Sequence, residues 1–184
     1  GAINESMSDV FVELSDLTDG IGNDSPAARW QIGEDRASGY LRNLRDPTLK
    51  NDPDTMTSPL YVGDPGDAGG SHSNAGVGNR AAALMTDGGT VGPLTVAPLG
   101  IDKVAAIYYE TLTAQLTSAS DYADLAAALP RACLNLVGTV GISIGDCQEV
   151  QDAVDAVQMP VDPPQASAPE APVCPEGIDP APLF

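Results

Sequence analysis

The chain has 184 residues, enough for one hydrophobic core or for one domain with a tail. Eight Lys and Arg face 26 Asp and Glu, a formal net charge of −18. That balance excludes a nucleic acid as partner, because phosphate binding needs a basic surface, and it suits cations and cationic ligands. The sequence as given has no run of about twenty apolar residues and no charged-then-apolar leader, so it is expected neither to cross a membrane nor to carry its own export signal.

Ile3, Met7, Val10, Leu14 and Leu17 recur at alternating spacings of four and three, which predicts an amphipathic helix ended by Gly20 and Gly22. At about 100° per residue, Glu5, Asp9, Glu13 and Asp16 fall on the opposite face, and periodicity alone makes that face the solvated one. From Asp24 to about Gly78 the composition shifts to Pro, Gly, Asp and Ser. This predicts a long irregular region, which a compact domain tolerates when it carries a site or a metal. Helical patterning returns over Asn79 to Met85 and stops at Gly88-Gly89. Asp102 is the expected N-cap of a stronger helix with Val104, Ile107, Tyr108 and Leu112 on one side. Ser120 and Asp121 begin another, which Pro130 is expected to kink or split. A last helix starts near Ser143 and runs through Val150, Val154 and Val157. Half of the 16 prolines lie in residues 160–184, which predicts an extended tail without a core. The fold class expected is mainly α, with one long irregular loop region, little strand and a proline-rich tail.

Cys133 and Cys147 flank a turn-like stretch between two apolar helical segments. A disulfide closing that loop would contribute about 3 kcal/mol in the chain-entropy model and favours an extracellular location. Cys174 is left odd in the tail, where its partner would be a cysteine outside this chain.

Three motifs carry chemistry. Gly1-Ala2-Ile3-Asn4-Glu5-Ser6-Met7-Ser8-Asp9 opens the chain, Leu41-Arg42-Asn43-Leu44-Arg45-Asp46-Pro47 follows, and Asp67-Ala68-Gly69-Gly70-Ser71-His72-Ser73-Asn74-Ala75-Gly76 holds the sole histidine. In this order they resemble the C-terminal helical domain of thermolysin-like zinc metalloproteases. Gly88-Gly89, Gly100-Ile101-Asp102-Lys103, Ile107-Tyr108-Tyr109 and Leu112-Thr113 extend the likeness over residues 1–159, leaving 160–184 as the tail. The resemblance implies that Glu5 is the third zinc ligand and that Asp9 is the carboxylate that orients a zinc-bound histidine. It implies that His72 donates to the oxyanion formed at the substrate carbonyl, with Asp67 holding the imidazole and raising its pKa. Arg42 would reach the substrate carbonyl and line the pocket for the side chain after the scissile bond, with Leu41 as a wall. Trp30-Gln31-Ile32-Gly33-Glu34-Asp35 resembles a calcium segment, in which Glu34 with Asp16 would contribute oxygen ligands. Arg29 stands where many members carry a further calcium-binding acid, and so departs from that pattern.

The family's H-E-x-x-H helix, with two zinc histidines and the glutamate that activates water, is not in this sequence. The chain alone is therefore expected to be inactive. Its expected partners are a preceding half that supplies H-E-x-x-H and a peptide or protein substrate, in a secreted zinc metalloendopeptidase of which this chain, beginning at Gly1, is the C-terminal piece. The rival reading is a non-catalytic helical binding or structural module derived from such a protease.

Overall fold

The computed structural model describes residues 1–63 and 67–164; most of the expected tail, with Cys174, lies outside them. Helix α1 spans Ala2–Asp19 and ends on Gly20, whose φ of 72° closes the helix in the left-handed region that favours glycine. Met7, Val10 and Leu14 are buried as the pattern predicts, but the opposite face is not solvated: Asp9 is 7% exposed and Glu13 3%. The reason is that α1 is covered on both sides. On one it lies along α2 (Ala75–Asp87), where Ser6 meets Gly78 so closely that a Cβ there would stand 2.3 Å from Ser6 Oγ. On the other it meets the ribbon formed by the irregular region.

That ribbon is a two-residue antiparallel pair, β1 (Gln31–Ile32) with β2 (Arg42–Asn43), in which Ile32 faces Arg42. The Leu44 N–H donates to the Trp30 carbonyl at 2.7 Å just below the pair. Trp30 is fully buried at φ 73°, a region bulky residues rarely enter. Its backbone N–H donates to Glu13 Oε1 at 2.5 Å and its indole Nε1 to Asp87 Oδ2 at 2.7 Å, so contacts outside the ribbon fix the strained residue. A single 3₁₀ turn, Pro47–Lys50, follows.

Helix α2 starts at Ala75, four residues before the pattern suggests, because alanine and glycine carry no periodic signal there. It is the central helix, with Val77, Ala81, Ala82 and Met85 fully buried. A second hairpin, β3 (Gly89–Val91) with β4 (Leu94–Val96), leads to α3, Ile101–Glu110. The N-cap of α3 is Gly100, and Asp102 sits in its first turn. Leu112 does not join Val104, Ile107 and Tyr108 in the core: the chain widens into a π-turn over Thr111–Gln115, which puts Thr111 inside and Leu112 in solvent. Helix α4, Tyr122–Asn135, opens with a capping box from Asp121 and runs on through Pro130 unsplit, held by the burial of Leu125, Leu129, Ala132 and Cys133. Helix α5, Ile144–Ala156, opens with a second capping box from Ser143. Cys133 of α4 and Cys147 of α5 are disulfide-bonded. The described residues are therefore mainly α with two short ribbons, and no helix among them is long and apolar enough to cross a membrane.

Replacing Cys133 and Cys147 together by alanine is expected to lower stability by about 3 kcal/mol, read as a shifted denaturant midpoint that reductant no longer moves. Glu13 gives a second expectation. Burial pushes its carboxyl up to about 7, against the pull of the Trp30 N–H, with Asp16 and Glu34 adding to the rise. Between about pH 4.5 and 7 the folded chain thus holds a proton that the unfolded chain has lost, so this group's contribution to stability falls as pH rises through that window. Glu13→Gln keeps an acceptor for Trp30 and should match the wild type at pH 4 but exceed it in unfolding midpoint at pH 8.

Candidate active site

The histidine stands on a left-handed turn. Asp67, Ala68, Gly69 and Gly70 all have positive φ, from 49° to 78°, an arrangement that two glycines ease and that Asp67 secures from within. Asp67 Oδ2 accepts the backbone N–H groups of His72 at 2.9 Å and Ser73 at 3.2 Å, and its Oδ1 lies 2.5 Å from His72 Nδ1. The hydrogen bond from His72 and the one from Ser73 hold the Asp67 carboxyl below its usual range. In return Asp67, with a smaller part from Glu5, raises the imidazole, and Arg42 opposes that rise. Nδ1 therefore carries a proton toward Asp67, and Nε2 points to Glu5, whose Oε2 is 3.8 Å away. The ring is 60% exposed and so within reach of a ligand.

Asn74 fixes the end of this loop. Its Nδ2 donates to the Val62 carbonyl at 2.8 Å, its Oδ1 accepts the Val62 N–H at 2.9 Å, and its own carbonyl accepts the Tyr122 hydroxyl at 2.7 Å. Gly1 packs against the same loop, where a Cβ would fall 1.9 Å from Ser71 Oγ. One turn along α1 from Glu5, Asp9 accepts Arg42 Nη1 at 3.1 Å and Asn79 Nδ2 at 2.8 Å. Burial nevertheless raises the Asp9 carboxyl, with Asn79 and then Arg42 pulling it back. Asp52 is a further carboxylate here, half-buried: burial lifts it to about 6, Arg42 opposing and Asp9 and Asp67 reinforcing.

Asp16 and Glu34 line a different cleft of about 410 Å³, together with Glu13 and Asp35. Burial and then Glu34 raise the Asp16 carboxyl. Arg29 turns away to Asp87. Among the described residues no group of three His, Cys, Asp or Glu could hold a metal, so Asp16 with Glu34, and Glu5 with His72, are not by themselves complete sites.

The profile of the thermolysin metallopeptidase alpha-helical domain matches residues 1–159. The chain belongs to this family. A zinc metalloproteinase of Renibacterium salmoninarum is 42% identical over 168 residues, covering 85% of this chain and 30% of the relative. A thermolysin of Alicyclobacillus acidocaldarius and a bacillolysin of Bacillus caldolyticus are each 36% identical over 159 residues, covering 84% of this chain and 28% of the relative. The chain thus spans less than a third of the length of these relatives.

In this thermolysin-family helical domain the candidate residues fall into linked groups. Glu5, Asp67 and His72 meet directly, and Asp9 and Arg42 form the adjoining ion pair, with Leu41 beside it and half exposed. Asp16 and Glu34 stand apart from both. Asn74 belongs to the histidine motif, but Asn79 and Asp52 carry no signal of their own in the sequence: Asn79 meets Asp9 across 70 residues, a contact that no local spacing encodes.

Asp67→Asn is expected to lower the His72 pKa toward its ordinary value. His72 is the single histidine of the 184-residue chain, so an NMR titration of its ring protons, assigned by His72→Gln, reads the shift.

Proposed function

We propose that this chain is the C-terminal half of a secreted zinc metalloendopeptidase whose preceding half carries the H-E-x-x-H helix required for activity. Residues 1–159 would be its helical domain and 160–184 a proline-rich tail. The observation that carries the reading is the 3.8 Å approach of His72 Nε2 to Glu5 Oε2, with the Arg42 to Asp9 pair one helical turn away. A structural helix has no need to leave a carboxylate and an oriented imidazole facing each other at the surface. The Cys133 to Cys147 disulfide supports the secreted location.

Glu5 would be one of three protein ligands, the bound zinc supplying Lewis acidity and an activated water. The remaining steps belong to this chain's own residues. With Nδ1 held by Asp67 and its pKa raised, His72 would offer an Nε2 proton as a hydrogen bond to the carbonyl oxygen as negative charge grows there. Asp9, already engaged by Arg42 and Asn79, would hold a zinc-ligating histidine in one orientation. Arg42 would use its remaining N–H groups on the substrate carbonyl, and Leu41 would wall the pocket that takes a bulky apolar side chain after the cut. Asp16 and Glu34 would bind calcium only with further oxygen ligands, since the described residues supply no complete set.

In the full-length protein, zinc near one equivalent and chelator-sensitive cleavage of a peptide with a bulky apolar residue after the scissile bond are expected. His72→Ala should lower kcat by about 10²- to 10³-fold with zinc retained, and Glu5→Gln should lose the zinc itself. Full-length protein that binds no zinc and cleaves nothing would establish the non-catalytic module instead.

A further inference from the structure

Asp87 is an anomaly in its own helix. It is the last residue of α2, where the helix dipole disfavours a carboxylate. Yet its carboxyl is held below the usual range, chiefly by Arg29 and Trp30 against the cost of partial burial. The donors come from outside the helix and from both sides of one ribbon. Arg29 Nε and Nη2 each donate at 2.7 Å and Trp30 Nε1 at 2.7 Å, all from the stretch just before β1. Arg45 Nη2, two residues after β2 ends, donates to the same Oδ2. In a chain with eight Lys and Arg against 26 acids, two arginines are committed to this one carboxylate.

The geometry matters because of what the ribbon presents. Arg42 opens β2 opposite Ile32, three residues before Arg45, and its guanidinium has to meet Asp9 on α1. A two-residue strand pair has almost no ladder of its own, and such an isolated hairpin is at best marginal in water. The base of this one is closed by the Leu44 to Trp30 hydrogen bond and gripped on both sides, at Trp30 and Arg45, by Asp87 at the end of α2.

We propose that Asp87 is a positioning residue for Arg42: by binding both ends of the ribbon it fixes where the guanidinium stands and thereby sets affinity for the substrate. This rests on the reading of Arg42 as a substrate-binding group. Asp87 touches no reacting atom, so its effect should appear in KM and not in kcat.

The test uses the full-length protein with Asp87→Asn, Asp87→Glu and Arg45→Gln, comparing peptide cleavage with hydrogen exchange of the amides in residues 31–44. Asp87→Asn places an amide N–H among four donors and should speed exchange there and raise KM about tenfold, with kcat nearly unchanged. Arg45 is 46% exposed, so Arg45→Gln should fold with the wild-type unfolding midpoint and still raise KM, by less. Asp87→Glu should recover part of the affinity. Faster exchange with KM unmoved in both variants, or a loss carried by kcat, would overturn the positioning role and leave the protease reading intact. Wild-type protein without cleavage would overturn both, and the exchange data would then show whether Asp87 clamps the ribbon for structural reasons alone.

Discussion

A carboxylate that is 7% exposed cannot be left alone, and the position of Asp9 under α2 and the first ribbon is the constraint on which the domain turns. Arg42 and Asn79 are the two groups that offset its desolvation, and they come from β2 and from α2. Satisfying one buried charge therefore fixes three elements relative to one another. Glu5 lies one turn away on the same helix, so the same pairing also determines what stands opposite His72. Among the described residues Asn79 Oδ1 is buried without a hydrogen-bond partner, so the amide's one contact is the Nδ2 bond to Asp9.

The helices were legible because their signals are local. Period gave α1, α3 and α5, and Ser120-Asp121 and Ser143 marked two starts within a residue or two, where the structure shows capping boxes from Asp121 and Ser143. The departures also have local causes that a pattern of apolar residues does not register. Alanine and glycine open α2 without contrast, and the extra residue of a π-turn at Thr111 rotates Leu112 out of the stripe. Pro130 removes one hydrogen bond, but the helix around it is anchored by Leu129 and by the disulfide at Cys133, so the loss does not divide it. Strands of two or three residues are too short to show a period, and both ribbons left no pattern for that reason.

The site was legible to the extent that its partners are close in sequence. Asp67 and His72 are five residues apart on one turn, and the resemblance to a known motif names their roles directly. Arg42 and Asp9 are 33 apart, Asn79 and Asp9 are 70 apart, and Arg29 and Asp87 are 58 apart. Motif likeness already pairs Asp67 with His72, but it does not reach Asn79 or Asp87, whose contacts to Asp9 and Arg29 span 70 and 58 residues. Arg29 illustrates this: as a departure from the calcium pattern it looked like a loss, and in the fold it is one arm of the Asp87 clamp.

The acidic balance explains why such clamps and not solvent screening organise the interior. Cations are scarce, so the half-buried carboxylates divide: Asp87, with two arginines, is held below its usual range, whereas Asp9, with Arg42 alone, is still raised by burial. Glu13 at about 7 and Asp52 at about 6 take the second course, and burial is the first cause for both. Near neutral pH these groups hold part of a proton, and the folded chain carries less negative charge than its formal −18. His72 moves in the opposite direction in the same field, since Asp67 and Glu5 favour its imidazolium. Burial raises the interior carboxylates and neighbouring carboxylates raise the surface imidazole, so both favour their protonated forms for different physical reasons.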